Sequence, residues 1–308
     1  MTNKKAYKFG VEIELGVPSN VDEAELQEAV ESFGCNLKGD SSLSFEDGYY
    51  AWEITTPPLG YNEMGRTIKK LSKYLTSIDA VSNKSCGLHI HTSNKRFFKN
   101  KQLLRIMSTW IAIEDVLYAT QPQSRLTSTY CKRLLSKMVG GSTYIEKLPR
   151  LKRDLIDEAS RIDRYCALNL NALDLHGTLE VRLFAGTTNA KKILAYLELT
   201  RAIYDYAISS YDKEAIKDLF SMTISADKIA KVFGMLQLSK ATTQLLQKRI
   251  QKNLFATLAR QQKSAFEYKK IQPKVQKAIK KYNKARADYD CIMGEVRQFT
   301  NAFSAGSY

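Results

Sequence analysis

The segment FGVEIEL at residues 9–15 places a charged side chain at every second position of an otherwise apolar run. CGLHIHT at residues 86–92 and TLEVRLF at residues 178–184 repeat this alternation. Successive side chains of a β-strand point to opposite faces, so each segment is predicted to be a strand with one apolar and one polar face. The polar positions are Glu12 and Glu14, His89 and His91, and Glu180 and Arg182. The apolar positions include Val11, Ile13, Leu15, Leu88, Ile90, Leu179, Val181 and Leu183.

The polar faces of these strands are unusual for surfaces that contact only water. Like charges that are neighbours on one strand face repel each other and weaken the sheet. A ligand that binds several of these groups at once would offset the repulsion. We therefore predict that the three strands bring their polar side chains to one cleft, which binds cations and phosphate.

The rest of the first 212 residues alternates between helical and strand patterns. Side chains at helical spacing predict helices near residues 22–33, 64–78, 101–119, 150–163 and 189–209. Turn residues bracket two further strands within 35–59, and residues 164–173 are predicted to form a hairpin with 178–186 around a turn at 174–177. Because several strands are connected by turns, we predict an α+β fold with a largely antiparallel sheet and helices on its apolar face.

The C-terminal part of the chain differs from the first part in pattern and in charge. No strand pattern is seen after about residue 213, and apolar residues at helical spacing predict a helical extension. From Lys240 onward there are 15 Lys and Arg against 4 Asp and Glu, which accounts for +11 of the net charge of +15. We predict a catalytic domain at 1–212 and a basic helical region at 213–308. That region either binds nucleic acid or an acidic protein, or packs against the catalytic domain or a second subunit.

The composition of the 308 residues is that of a globular protein. No apolar run approaches the roughly 20 residues that cross a bilayer, and no apolar signal segment precedes the first strand, so we expect a cytoplasmic protein without a membrane contact. The five cysteines have no paired metal or redox spacing and are expected to be reduced thiols.

The carboxylates on the predicted polar faces indicate the metal that the cleft would bind. Glu12, Glu14, Glu180 and Glu53 offer hard oxygen ligands that suit Mg²⁺ or Mn²⁺, and an imidazole such as His89 can join them. Four carboxylates are more than one divalent ion needs, which favours two ions. Arg182 adds a forked cation for phosphate. The chain has no Gly-x-x-x-x-Gly-Lys-Ser/Thr loop, so the residues predict phosphoryl transfer without a P-loop.

The order of several short motifs resembles that of the amidoligase family. The motifs are GVEIE (10–14), DSSL (40–43), WEITTPPL (52–59), GLHIHT (87–92), SRLTSTYC (124–131), RYCALNL (164–170) and TLEVRLFAGT (178–187). The resemblance covers about residues 6–208 and leaves the basic extension without a counterpart. This family is similar in fold and motifs to glutamine synthetase and to glutamate–cysteine ligase. The resemblance therefore implies a glutamine-synthetase-like sheet and, since many members occur in bacteria and phages, a bacterial or phage-infected cell.

The activity implied by the resemblance is that of an ATP-dependent carboxylate–amine ligase. The γ-phosphoryl group of ATP would pass to a substrate carboxylate, and an amine would displace phosphate from the acyl phosphate to form an amide. Position by position, the resemblance assigns metal binding to Glu12, Glu14, Glu53, His89 and Glu180. It assigns phosphate contacts to His91 and Arg182, and phosphate or substrate-carboxylate contacts to Arg125 and Arg164. Asn169 is a further nucleotide-contact candidate, and glutamine-synthetase-like enzymes often form homo-oligomers.

Several alternatives remain open from the residues alone. His-x-His on a strand also occurs in metal-dependent amide hydrolases, although such sites need more histidines than the additional His176, which we interpret as a surface residue. A non-catalytic binding protein that uses the basic helices is a third interpretation. The carboxylate and amine substrates, whether small molecules, peptides or proteins, are not identified by the sequence. Residues 140–143 (GGST) are a candidate flap that would shield an acyl phosphate from water.

Overall fold

The computed structural model describes residues 7–134 apart from Arg96 and Phe98, residues 163–254, and the lysines at 277, 280 and 284. The strands are β1 (Lys8–Pro18), β2 (Asn36–Gly39), β3 (Tyr49–Thr55), β4 (Gly87–Ser93), β5 (Leu168–Asn169) and β6 (Leu179–Ala185). The helices are α1 (Glu23–Ser32), α2 (Tyr61–Ser77), α3 (Asn100–Ala119), α4 (Gln123–Leu126), α5 (Asn171–His176), α6 (Ala190–Asp205), α7 (Lys213–Ser221) and α8 (Ala226–Leu236). A π-helical turn, Tyr206–Ser210, extends α6, and a further helix, α9, covers residues 240–254.

The strands form one six-stranded sheet in the order β2-β3-β1-β4-β6-β5, in which every neighbouring pair is antiparallel. The predicted α+β class with an antiparallel sheet is therefore confirmed. The strand that contains GVEIEL lies near the middle of the sheet, between β3 and β4. This position is consistent with its length and with the complete burial of its apolar side chains.

One face of the sheet packs against helices to form the hydrophobic core. Val11, Ile13 and Leu15 of β1 are each 1% exposed or less and share a core with the apolar stripe of α2. That stripe was predicted from helical spacing, and its members Met64, Ile68, Leu71 and Leu75 are fully buried. Burial of each such side chain stabilises the fold by roughly 1.5–3 kcal/mol. Because the apolar face is covered in this way, the polar face remains available for a site.

The connection between β5 and β6 differs from the predicted hairpin turn. The two strands do pair antiparallel, with Asn169 opposite Glu180, but β5 contains only two residues. The short helix α5 occupies most of the interval and ends at Gly177, whose positive φ of 65° suits a residue without a side chain. Ala172 and Leu173 are buried in the protein, and this burial favours a helical turn over an exposed loop.

The sheet also contains a β-bulge that the simple alternation of TLEVRLF did not predict. Leu88 pairs with Phe184 and Ile90 pairs with Val181, so β6 holds one more residue than β4 between these pairs. Leu179, Val181 and Leu183 are nonetheless all buried in the core, as the alternation predicts. The extra residue lies next to Arg182, and bulges are frequent beside active sites because they re-aim side chains.

The helices after residue 212 pack on the sheet-bearing part of the chain up to residue 253. Contacts divide the chain into two compact units, Met1–Asn253 and Leu254–Tyr308. In the first unit, Lys228 of α8 is almost fully buried and its ammonium group lies 2.9 Å from Asp115 of α3. The predicted functional boundary between residues 212 and 213 stays a prediction. Residues 150–162 of the predicted helix at 150–163, the candidate flap at 140–143 and eight of the eleven basic residues after 254 lie outside the described residues.

Two predictions drawn from composition can be compared with the described part of the chain. None of its helices is long and apolar enough to cross a membrane. Cys35, Cys86, Cys131 and Cys166 are free and buried, and burial raises the pKa of the Cys35 thiol to about 11. These four thiols are thus small core residues, whereas Cys291 lies outside the described residues.

Candidate active site

The polar face of the sheet forms the floor of a cleft of about 770 Å³. Each of the six strands contributes a side chain to its lining: Lys38, Glu53, Glu12, Glu14, His89, His91, Glu180, Arg182 and Asn169. All ten residues proposed from the sequence line this one cleft, since Arg125 and Arg164 border it as well. The predicted convergence of the polar side chains is therefore observed, whereas their chemical roles stay predictions.

The register of the strands explains how residues far apart in sequence come together. Glu12 is directly opposite His89 on β4, and Glu14 is opposite Glu53 on β3. His91 is opposite Glu180, and Glu180 is opposite Asn169. Residues directly opposite on one face have Cβ atoms about 4.5–5.5 Å apart. The alternation within each strand and the antiparallel register together suffice to assemble the cluster.

The imidazole of His89 is the centre of this cluster and is 3% exposed. Its Nδ1 atom lies 3.0 Å from Glu12 Oε2 and 3.7 Å from Glu180 Oε1, and its Nε2 atom lies 3.5 Å from Glu14 Oε1. Two sets of potential metal ligands share His89, and the ligand atoms of each set lie within 4.8 Å of one another. The sets are Glu12, His89 and Glu180, and Glu14, Glu53 and His89. We refer to these five residues as the acidic basin.

Gly87 lies in the motif GLHIHT and contacts the acidic basin, although no role was predicted for it from the sequence. Its N–H donates a hydrogen bond to Glu14 Oε2. A Cβ atom at this position would lie 2.7 Å from His89 Nε2 and 3.3 Å from Glu14 Oε2, which is too close for the present arrangement. The absence of a side chain at Gly87 therefore lets His89 approach Glu14. The sequence pattern that could have identified Gly87 is its position two residues before His89, on the same face of the strand.

His91 and Glu12 form a second close contact at the edge of the acidic basin. His91 Nε2 lies 3.0 Å from Glu12 Oε1, and His91 Nδ1 lies 3.0 Å from the hydroxyl of Thr178. Burial favours the neutral forms of both groups. Hydrogen bonds with His89 and His91 nevertheless lower the pKa of Glu12, and the contact with Glu12 raises the pKa of His91. Glu12 thus remains a carboxylate in the folded protein, the form that a metal ion requires.

Glu53 has a different electrostatic environment from Glu12. Burial and the negative charge of Glu12 raise the pKa of the Glu53 carboxyl group, because both disfavour a further negative charge. The nearest cation among the described ion pairs is Lys38, at 3.7 Å, and its side chain is 75% exposed. A divalent cation in the acidic basin would relieve this repulsion, so the donor set fits such an ion.

Glu180 is held from two sides at the other end of the acidic basin. Asn169 Nδ2 donates a hydrogen bond of 2.6 Å to Glu180 Oε2, and Arg182 Nη1 donates to Glu180 Oε1. Arg182 Nε lies 3.4 Å from the carbonyl oxygen of Tyr130. The Arg182 guanidinium thus lies between the acidic basin and the segment around Tyr130, where it offers positive charge to an anionic ligand.

Arg125 lines the cleft but is 4% exposed, and its observed partners are backbone carbonyl groups. Its Nε donates a hydrogen bond of 3.1 Å to the carbonyl oxygen of Leu183, and its Nη2 donates to that of Arg182. These two carbonyl groups belong to the bulged part of β6. The structure therefore supports a positioning role for Arg125, while the predicted grip on phosphate or a substrate carboxylate stays a prediction.

Aromatic and cationic side chains form the β5–β6 side of the cleft. The rings of Tyr130 and Tyr165 meet edge to face with centroids 5.3 Å apart, and the Arg164 guanidinium lies 5.1 Å from the Tyr165 ring centroid. His176 is exposed, as predicted, but it also lines the cleft, and its ring lies 6.2 Å from that of His91. The sequence analysis did not identify Tyr130 or Tyr165, because isolated tyrosines carry no periodic signal.

Comparison with known proteins adds one finding. A protein-family model described as "putative amidoligase enzyme" matches residues 31–204, which is more than half of the chain. The matched residues include every strand of the sheet except β1, so Glu12 and Glu14 join the site through strand pairing outside the matched span. A comparison with curated proteins found no match.

Proposed function

The chain belongs to the amidoligase family, whose name denotes enzymes that form amide bonds, and from this premise we propose that it is an ATP-dependent carboxylate–amine ligase. The proposed fold relationship is to the antiparallel sheet of glutamine synthetase. The observation that carries the proposal is the convergence of carboxylate, imidazole and guanidinium groups from four strands on one cleft. A triphosphate and a carboxylate are both negatively charged, so metal ions and arginines are needed to offset their repulsion when they approach each other.

The acidic basin would hold the metal ions. Its four carboxylates are hard ligands that suit Mg²⁺ or Mn²⁺ and are more than one divalent ion needs, which supports the proposal of two ions. When bound, such ions neutralise the charge of the phosphates during transfer. Asn169 and Arg182 would keep Glu180 oriented through their hydrogen bonds.

The remaining groups of the cleft would act on the reactants. Arg182 and His91 are placed beside the acidic basin, where they would contact the phosphates, and Arg164 would contact phosphate or the substrate carboxylate. A carboxylate oxygen attacks the γ-phosphorus of ATP, and ADP leaves. The amine nitrogen then attacks the carbonyl carbon of the acyl phosphate, the C–O bond to phosphate breaks, and the nitrogen loses a proton. Positioning and electrostatic stabilisation supply most of the catalysis in this class of reaction.

A metal-dependent hydrolase is less well supported by the arrangement. All three histidines of the chain are described, and His89 is the only histidine in either potential metal-ligand set. Hydrolytic zinc sites usually use two or three histidines. A binding function of the basic helices remains a prediction, because most of these residues are not described.

The proposal is tested by thermal unfolding of the full chain with Mn²⁺, with Mg²⁺ and with ATP plus either metal. A ligand present at 100 times its dissociation constant stabilises the folded state by about 2.7 kcal/mol. We expect metal-dependent stabilisation by ATP in the wild type and its loss in Glu14→Gln, which keeps the shape of the side chain but removes its charge. Glu28→Gln, an exposed position on α1, is the matched control and is expected to behave as the wild type.

Turnover is tested by the release of ADP and phosphate with a panel of carboxylates and amines. The ligase requires both substrates and ATP for product formation. Amide cleavage that depends on metal but not on ATP would instead identify a hydrolase. Absence of any ATP-dependent stabilisation in the wild type would contradict the proposed function.

A further inference from the structure

Among the described residues that line the cleft, the large exposed apolar side chains lie on one side of it. Tyr130 is 53% exposed and Leu175 is 72% exposed, and both line the cleft near the β5–β6 edge of the sheet. The lining at the opposite edge is polar and consists of Lys38, Asp40, Ser42, Glu53, Lys84 and Ser85. A large apolar side chain exposed inside a polar cleft is typical of a surface that a ligand covers.

The segment that carries Tyr130 is anchored to the proposed phosphate site. One guanidinium, that of Arg182, contacts both the carbonyl oxygen of Tyr130 and the carboxylate of Glu180. A single guanidinium group therefore links the acidic basin to the main chain of Tyr130. A nucleotide whose phosphates lie beside Arg182 and the acidic basin would extend its ribose and base either toward Tyr130 or toward the polar edge.

The ring of Tyr130 is available for stacking, whereas that of Tyr165 is already engaged. Tyr165 is contacted by Arg164 at 5.1 Å, by Arg182 at 6.0 Å and by the Tyr130 ring. Tyr130 meets Tyr165 edge to face at an interplanar angle of 87°, and about half of its surface remains exposed. Its main chain is held by the hydrogen bond from Arg182 and by one from the Tyr130 N–H to the Ser128 hydroxyl. A fixed and exposed aromatic ring is the feature on which nucleobases stack.

We propose that Tyr130 is the base-stacking residue of the nucleotide site, with the base at the β5–β6 edge, the phosphates at Arg182 and the acidic basin, and the polar edge left for the carboxylate substrate. This inference rests on the proposed function, because it requires a nucleoside triphosphate in the cleft. Leu175 is the second apolar residue on this side and would contact the base or ribose. The orientation also explains why the lysines of the cleft, Lys38 and Lys84, are both at the far edge, where they would attract a carboxylate.

The test compares two probes that differ only in the presence of a nucleoside. Dissociation constants of Mg·ATP and of Mg·tripolyphosphate are measured by calorimetry on the full chain and on Tyr130→Ala, Tyr130→Phe and Tyr50→Ala. Base stacking on an aromatic ring predicts that Tyr130→Ala weakens ATP binding about 5- to 100-fold and leaves tripolyphosphate binding within about twofold. Tyr130→Phe keeps the ring and should bind ATP as the wild type does. Tyr50, 58% exposed on β3 and outside the cleft lining, is the matched control.

Four other outcomes would each overturn the inference. If the wild type binds tripolyphosphate as tightly as ATP, the base makes no contact and the inference is wrong, while the proposed phosphate site stands. Equal weakening of both probes in Tyr130→Ala would show that the substitution acts through Arg182, which also overturns base stacking. If Tyr130→Ala instead raises only the KM for the carboxylate, the aromatic edge belongs to the other substrate. Binding of neither probe to the wild type would overturn the inference together with the proposed function.

Discussion

The contact between His89 and its acidic neighbours depends on a residue that has no side chain. Gly87 and His89 are on the same face of β4, and the space that a Gly87 Cβ would occupy is taken up by the His89 imidazole and the Glu14 carboxylate. No positive φ is found at Gly87, so the backbone alone does not require glycine there. The requirement comes from the packing of the acidic basin.

Gly87→Ala is therefore expected to preserve the fold and to disturb the site. Overpacking of this kind costs about 1–3 kcal/mol in a core, and here the side chains of His89 and Glu14 would have to move. We expect a marked reduction of the Mn²⁺-dependent rise in Tm with only a small change in the Tm of the metal-free protein. Gly10→Ala is the matched control, because Gly10 is opposite His91 and a Cβ there would meet only ordinary contacts of 3.6 Å and 3.9 Å. Equal metal responses of both variants would contradict this explanation.

The β-bulge of β6 affects the position of Arg182, which is a predicted catalytic residue. A bulge interrupts the ladder and leaves backbone groups that need other partners. Arg125 supplies these partners for the carbonyl groups of Arg182 and Leu183, and the Arg182 N–H donates to the carbonyl oxygen of Ala167. The buried guanidinium of Arg125 thus holds the backbone that carries the Arg182 side chain, whose own contacts are with Glu180 and the carbonyl oxygen of Tyr130.

Arg125→Met is expected to destabilise the protein by about 2–4 kcal/mol, because two buried carbonyl groups would lose their donors at roughly 1–3 kcal/mol each. Amide hydrogen exchange in peptides that cover β6 should increase more than in peptides of α2. Arg125→Lys keeps the charge but not the planar fork, so we expect partial rescue of stability and of turnover. Arg66→Met, an exposed arginine of α2, is the control. Wild-type exchange in β6 of the Met variant would argue against a positioning role.

At the scale of the whole molecule, helices α7 and α8 belong to the same compact unit as the sheet. A buried ion pair joins α8 to α3. The Lys228 side chain is 4% exposed, and its Nζ contacts the carboxylate of Asp115 on α3 and the carbonyl oxygen of Met222. Because α3 shares the hydrophobic core with the strands, this ion pair links the C-terminal helices to the sheet-bearing part of the chain.

Asp115→Asn should destabilise the protein by about 2–4 kcal/mol, since it leaves a buried ammonium group without its carboxylate. This is less than the roughly 3–5 kcal/mol of a fully buried pair, because the Asp115 side chain is 28% exposed. The double variant Asp115→Asn and Lys228→Met should recover part of the loss. Asp218→Asn disrupts the exposed pair with Lys231, which also has a 2.9 Å contact, and should change stability by less than about 1 kcal/mol. Urea unfolding of the wild type and of these three variants measures the changes, and a similar loss of stability in both single carboxylate variants would contradict this explanation.

The strands, most of the helices and ten of the residues that line the cleft could be predicted from the sequence. Strand alternation is a local property with a period of two, so Glu12, Glu14, His89 and Glu180 could be assigned to polar faces without knowledge of their neighbours. Helical spacing likewise predicted the buried stripe of α2.

The tertiary structure alone decided the features that depend on contacts between distant segments. The bulge of β6 is a property of its register against β4 and cannot be seen within TLEVRLF. Arg125 finds its carbonyl partners 57 and 58 residues away, and Lys228 finds Asp115 across 113 residues. Tyr130 becomes significant only because Arg182 connects it to the acidic basin. Local periodicity carries no information on such pairs, since their free energy arises from burial and hydrogen bonding that exist only after the chain has folded.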